Sequence, residues 1–327
     1  MRVAINGMGR IGRLLCRKLL QHPTIELVAV NDVMDTDNLV YLLKYDSVYG
    51  TLADEMQHTG DTLVINGKTI RATRFGHPSQ LPWKELQVDV VLECSGKFTT
   101  RDAAGTHLQS GAGKVLLSTT GAPDIPLLIY GFNQHALTKD INIISPGGCM
   151  TNCSIHILYL LQSIGIEAAQ VNILHSYTSR QALVDAPAKQ FRRGRAAAEA
   201  IIPVEIDLAV SLQRLFPTIP AIATMSTRVP VANGAMADFT VQLKHEASAA
   251  EINKLFETAA KHEFKGVVGY TTDPLVSLDV RGNTHSCLID GALTSSAGKL
   301  IKLIAWFDNE SGYTSRMVDW LELIGRL

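Results

Sequence analysis

Arg2-Val3-Ala4-Ile5-Asn6-Gly7-Met8-Gly9-Arg10-Ile11-Gly12 opens the chain, and the order of these residue types decides the fold of the first half. Arg2 to Asn6 reads as a short buried strand and Gly7 to Gly12 as a turn, while Ile11, Leu14, Leu15 and Leu19 recur at helical spacing. In such a unit Gly7 permits the tight turn, Gly9 lets a pyrophosphate approach the backbone, and Gly12 lets the helix pack closely on the strand. The helix start turns its unpaired N–H groups toward the phosphates, so Arg10 and Ile11 are expected to contact the cofactor along with the glycines.

A second strand, Ile25-Glu26-Leu27-Val28-Ala29-Val30, ends in Asn31-Asp32, which puts a carboxylate about twenty positions beyond the last glycine. Asp32 would accept from the adenine ribose hydroxyls and would repel the extra phosphate of NADP, so NAD is the expected cofactor. Glycines alone also serve ordinary tight turns; the flanking strand and helix, together with Asp32, separate this case from that one. Further strands are expected at 88–94, 114–118 and 142–144, with crossovers between them. That alternation describes an α/β fold whose N-terminal part is a doubly wound Rossmann sheet. Ser95-Gly96-Lys97-Phe98-Thr99 would then form a loop at the carboxyl edge, where such sheets bind ligands.

With 327 residues, 46% hydrophobic residues and a net charge of −1, the chain has material for about two domains, each with its own core. The near-neutral charge and the lack of a long Lys/Arg block argue against a dedicated nucleic-acid or membrane-surface protein, while leaving room for a local basic patch. No apolar run reaches the ~18 residues of a membrane span, and no leader of signal type is read at the N-terminus. The five cysteines are scattered through apolar contexts and form no disulfide framework, which fits a reducing cytoplasm.

Chemistry enters with Gly147-Gly148-Cys149-Met150-Thr151-Asn152-Cys153, where a loop is expected to become a helix near Asn152. Unpaired N–H groups at a helix start favour thiolate over thiol, so Cys149 is expected to have a lowered pKa and to act as a nucleophile. The competing reading is a small buried hydrophobe, and for Cys153, one turn further on, that reading leads. His175 closes the strand reading Val171-Asn172-Ile173-Leu174 and has the chemistry of a general base toward a thiol and a general acid toward an oxyanion; it could equally be a satisfied structural histidine. The basic segment from Ser176 to Arg195 reads as an irregular loop that handles anions. Arg228 lies in an apolar strand pattern and should have an anionic partner, either a structural carboxylate or a substrate phosphate.

Taken together these residues resemble the family of glyceraldehyde-3-phosphate dehydrogenases and their erythrose-4-phosphate relatives. The match runs from Asn6-Gly7 and Asn31-Asp32 through Cys149 with Thr151-Asn152-Cys153, His175-Ser176-Tyr177-Thr178, Arg195-Ala196-Ala197-Ala198, Ile201-Ile202-Pro203 and Arg228-Val229-Pro230 to Trp306-Phe307-Asp308-Asn309-Glu310 with Gly312-Tyr313. The resemblance implies that Cys149 adds to a phosphorylated aldehyde, that His175 accepts the hydroxyl proton, and that hydride loss to NAD leaves a thioester. It also implies that Ser118, Asn309 and Tyr313 contact the cofactor and that Thr178, Arg195 and Arg228 grip the sugar phosphate. By the same likeness residues 1–147, completed by a terminal helix over 311–327, form the NAD-binding domain. Residues 148–310 form an α+β catalytic domain with a mixed or antiparallel sheet, and the assembly is a homotetramer.

Departures gather around the second half-reaction, in which inorganic phosphate attacks the thioester. Where the family usually has serine and threonine flanking the cysteine, this chain has Gly148 and Met150; after Ile-Ile-Pro it has Val204-Glu205-Ile206-Asp207 in place of hydroxyl residues. Each lost charge-assisted hydrogen bond is worth about 1.5–3 kcal/mol, and Asp207 adds repulsion toward a phosphate dianion. Val204, the following acidic residue and the doubled Arg192-Arg193 resemble the erythrose-4-phosphate branch, whereas Met150 and the Tyr177-Thr178 pair do not. Arg180 stands where the family has an acidic residue, which points either to a more negatively charged substrate or to a solvated or subunit-contact arginine. The expected reaction is NAD-dependent oxidation of a phosphorylated aldehyde with an altered phosphate site. The alternatives are an erythrose-4-phosphate-type or other non-phosphorylating dehydrogenase and, in another class, an NAD-binding redox sensor or interaction protein.

Overall fold

The computed structural model describes all 327 residues, which divide into two compact units, Met1–Gly148 with Thr314–Leu327, and Cys149–Tyr313. The first unit is built on an eight-stranded sheet in the order 143–144, 114–117, 90–93, 2–6, 26–31, 68–73, 62–65, 56–59. The first six strands pair in parallel and the last two return as an antiparallel meander. The strand order reverses at Arg2–Asn6, the chain's first strand, so its carboxyl end opens at the topological switch point where doubly wound sheets take their ligands. Val3, Ala4 and Ile5 are fully buried, as a parallel strand covered on both faces requires.

Helix Arg10–Leu20 follows the glycine turn and buries Gly12, Leu15, Cys16, Leu19 and Leu20. Within this unit the chain's last helix, Ser311–Ile324, returns from Thr314 onward: Trp320 is fully buried with its ring edge-on to Tyr130, and Lys18 Nζ donates to Ser315 Oγ at 3.1 Å.

The second unit carries a seven-stranded mixed sheet in the order 202–204, 221–229, 166–176, 235–243, 300–307, 287–297, 268–271. Strands Ile166–Ser176 and Ala221–Val229 run parallel as neighbours, in a register that sets His175 opposite Arg228. Helix Cys149–Leu161 is apolar over most of its circumference, with Ile155, Ile157, Leu158 and Leu161 wholly buried. Such a helix belongs inside its unit rather than on its surface. It starts three residues earlier than the sequence pattern implies, so Cys149 lies in the first turn itself. All five cysteines are free, and no helix is long and apolar enough to cross a membrane.

Candidate active site

In the first unit the glycine turn is fixed by steric necessity. Gly7 sits at φ +98°, and a Cβ there would come within 2.4 Å of the Ser95 backbone nitrogen. A Cβ on Gly12 would lie 2.0 Å from the Gly7 carbonyl oxygen, far inside van der Waals contact. Gly9 differs: a Cβ there would meet nothing within 4 Å, so its backbone faces open space. Gly9 also occupies the N-cap of helix Arg10–Leu20 with no side-chain cap, and no acidic residue sits in the first turn, so the positive pole of that helix end is not offset there by a carboxylate. Asp32 accepts from the Met8 N–H at 2.6 Å and the Met34 N–H at 3.0 Å, tying the end of the second strand to the turn. Arg10 is committed to Asp46 and lies over the Tyr49 ring, Ile11 is half-buried beside it, and Ser118 hangs from the Glu93 carbonyl at 2.9 Å.

Beneath the turn runs a buried polar chain that the sequence pattern does not reveal. Trp83 Nε1 donates to His107 Nδ1 at 2.9 Å, and His107 Nε2 meets Glu93 Oε2 at 2.9 Å. Asn6 Nδ2 donates to the same carboxylate, and Asn31 Nδ2 donates to Asn6 Oδ1 at 2.7 Å. Because Nδ1 accepts from the indole, the proton of neutral His107 is on Nε2 and points at Glu93. The partners stand 14 to 87 positions apart, so no local motif could have assembled them.

In the second unit Cys149 Sγ lies 3.7 Å from His175 Nε2. His175 Nδ1 lies 2.7 Å from the Ser176 carbonyl, which can only accept, so Nδ1 carries the proton and Nε2 offers its lone pair to the thiol. Burial holds His175 down at about 3, with Arg228 adding to the effect, so the imidazole rests neutral. Burial likewise pushes the Cys149 thiol up to about 11, against the pull of Arg228 and of the Met150 and Cys149 N–H groups. The expectation of a lowered thiol pKa is therefore corrected: dehydration outweighs the helix start, and the resting pair is thiol and neutral imidazole. Cys153 is fully buried, as is Cys287, in keeping with its core reading.

Arg228 is 7% exposed, and the anionic partner expected of it is not a structural carboxylate. Its Nη1 donates to the Ser176 carbonyl at 3.2 Å, its Nε has no partner, and no salt bridge reaches it. Burial lowers it to about 10; Cys149 opposes that shift, and Arg193 and Arg180 add to it. Thr178 Oγ1 donates to Gln181 Oε1 at 2.9 Å and accepts from the Arg180 N–H at 3.3 Å, closing a tight turn. Arg195, expected to grip the substrate phosphate with Arg228, is instead exposed and ion-paired to Asp185 at 3.0 Å; Arg193 and Arg180 are the loop arginines whose charge Arg228 feels. Arg193 lies within the short 3-10 turn Phe191–Gly194 and Arg195 is its C-cap residue.

Asn309 Oδ1 accepts from Ser176 Oγ at 3.1 Å and the Gly234 N–H at 3.0 Å, which fixes the amide and leaves its nitrogen without a protein acceptor. Next to it Asp308, also missed, accepts from the N–H groups of Gly282, Glu310 and Ser311 and so caps the terminal helix; Tyr313 is buried in that helix's first turn. A Cβ on Gly148 would meet nothing within 4 Å, so the missing serine has room there. Ile206 packs on the apolar cluster of Ala197, Ile202 and Val204 with Tyr177, and Asp207 stands exposed at the start of helix Leu208–Leu215.

Comparison with known proteins bears on the family of the chain. Residues 1–101 match the family model for the glyceraldehyde 3-phosphate dehydrogenase NAD binding domain, and residues 148–309 match that for the C-terminal domain. The glyceraldehyde-3-phosphate dehydrogenase of Geobacillus stearothermophilus is 40% identical over 322 residues, covering 97% of this chain and 96% of the relative. Glyceraldehyde-3-phosphate dehydrogenase 2 of Streptomyces avermitilis is 40% identical over 99% of this chain and 98% of its own length, and glyceraldehyde-3-phosphate dehydrogenase 1 of Bacillus subtilis is 39% identical over the same shares.

Proposed function

We propose, because the chain belongs to the glyceraldehyde-3-phosphate dehydrogenase family, that it oxidises a phosphorylated small aldehyde through a thioester on Cys149 and passes the acyl group to an acceptor other than inorganic phosphate. The observation that carries the first half is the 3.7 Å approach of Cys149 Sγ to the unprotonated nitrogen of His175. Neutral His175 takes the thiol proton as sulfur adds to the aldehyde carbon, and returns it to the oxyanion so formed. It takes the hydroxyl proton again when the carbonyl reforms as a thioester. NAD, the family's cofactor, supplies the hydride acceptor for that oxidation when bound.

Gly7, Gly9 and Gly12 with the Arg10 and Ile11 N–H groups suit its pyrophosphate, Asp32 its adenine ribose, and Ser118 the same edge of the sheet. The free amide nitrogen of Asn309 suits the nicotinamide carbonyl, with Tyr313 beside it in sequence space of the same motif. Thr178, Arg228 and Arg193, the last in the place first given to Arg195, would hold the substrate phosphate.

The second half-reaction is read from side chains. Gly148, Met150, Ile206 and Asp207 offer a phosphate dianion no hydroxyl and one carboxylate, which supports water or another nucleophile as acyl acceptor. Residues 1–147 with 311–327 serve as the NAD-binding domain and 148–310 as the catalytic domain. Exposed Val184, Phe191 and Ile201, at 80%, 89% and 71%, support a homotetramer by giving the basic loop apolar surface to cover, and reduced cysteines support a cytoplasmic setting. Cys149→Ser tests the thioester route: NADH formation with phosphorylated aldehydes should fall by about 10³-fold or more, and activity kept at the wild-type rate would remove Cys149 from the chemistry.

A further inference from the structure

Three arginines of the second unit converge without a carboxylate among them. The turn from Thr178 to Gln181 carries Arg180, and the Ala182 N–H donates to the Arg193 carbonyl at 3.1 Å, which lays the Arg180 and Arg193 segments side by side. Arg228 reaches the root of that loop through the Ser176 carbonyl at 3.2 Å. None of the three is in a salt bridge, whereas Arg195 takes Asp185 for itself. Arg228 and Gln181, each 7% exposed, leave Arg228 Nε and Gln181 Nε2 with no hydrogen-bond partner. Buried donors in that state cost stability unless a ligand takes them. Arg193 is lowered by its partial burial and by Arg180, and Arg228 is lowered further by both, so the three charges sense one another.

Charge balance gives the ligand its class. A phosphate monoester brings about −1.5 to −2 near neutral pH. Three guanidiniums bring three positive charges that nothing in the protein offsets, so a singly phosphorylated aldehyde leaves about one of them unpaired. We propose that Arg180, together with Arg193 and Arg228, forms a subsite for a second anionic group, so that the substrate is a phosphorylated aldehyde bearing a further phosphate or carboxylate. The proposal rests on the reading that a phosphorylated aldehyde occupies this site, and it makes Arg180 the residue that sets substrate charge.

Binding separates the proposal from that reading, since it needs no turnover. The full-length protein, loaded with NAD, is titrated calorimetrically at constant ionic strength with glycerol 3-phosphate, whose phosphate is its only anionic group, and with 3-phosphoglycerate, which adds a carboxylate. The wild type should bind 3-phosphoglycerate about tenfold or more tightly, the scale of one charge-assisted contact. Arg180→Ala should bring the ratio close to one while glycerol 3-phosphate affinity changes by less than about twofold, and Arg192→Ala, at the exposed neighbour of Arg193, should leave the ratio intact. Equal affinities in the wild type, a preference that survives Arg180→Ala, or one that Arg192→Ala erases equally would each overturn the subsite. Unchanged NAD affinity certifies that the variants fold. NADH formation by the wild type, measured separately, reports on the dehydrogenase reading alone.

Discussion

The glycine turn Gly7–Gly12 and the basic loop Thr178–Arg195 are the two segments proposed to hold anions, and they would do so by opposite means. In the turn, position is enforced by distance: a single added carbon at Gly7 or Gly12 collides with backbone, and the donors are N–H groups that every residue carries. In the loop the donors are side chains on an exposed segment, where Arg195 is paired with Asp185 while Arg193 carries no salt bridge. Backbone recognition therefore tolerates little change in sequence, while side-chain recognition can be rewritten one residue at a time. The cofactor stays legible for that reason, and the substrate's charge and the acyl acceptor are where this chain is free to differ from its relatives.

The contrast is broken most readily at the turn. Gly12→Val, which drives carbon into the Gly7 carbonyl, should destabilise the first unit by several kcal/mol and abolish NAD binding, read by thermal melting and NAD titration. Gly9→Ala, entering open space, should melt normally yet bind NAD at least about tenfold more weakly; unaltered binding would show that no phosphate approaches there. In the loop region Arg228→Ala should leave NAD affinity alone and raise the Michaelis constant for phosphorylated aldehyde by about 10- to 100-fold, through loss of one or two charge-assisted bonds. An unchanged constant would take Arg228 out of the substrate site.

A smaller effect sharpens the chemistry of the thiol. With Cys149 pushed up to about 11 and His175 held at about 3, the thiolate grows only as pH approaches the raised value. Alkylation of Cys149 by iodoacetamide should accordingly climb about tenfold per pH unit between about pH 7 and pH 10. A plateau already reached near pH 6 would instead reveal a preformed thiolate–imidazolium pair.

What the sequence discloses follows from how local each determinant is. The first strand, the glycines and Asp32 lie within one strand–turn–helix–strand unit, so spacing alone predicts them, and the strand bounds agree within two residues. Cys149 is betrayed by the adjacent glycines and the apolar helix, although the helix begins at the cysteine itself. The Glu93–His107–Trp83 chain is invisible, since three separate segments must fold before its members meet. Arg193 was indistinguishable from Arg192 and Arg195 as a letter in a basic run; only Asp185, ten positions from Arg195, settles which arginine is spent on a surface pair. The thiol's raised pKa also escapes a motif, because dehydration is a property of the packed site and not of the helix start.

The acyl acceptor is the claim on which the comparison turns. NADH formation by the purified full-length protein should be followed with NAD and glyceraldehyde 3-phosphate, and in parallel erythrose 4-phosphate, while inorganic phosphate is titrated upward from none. Turnover that changes by less than about twofold across the millimolar range is the predicted result, because Gly148, Met150, Ile206 and Asp207 give phosphate no charge-assisted bond to replace its water. Saturable, many-fold stimulation by phosphate would contradict it and show that other groups hold the attacking anion.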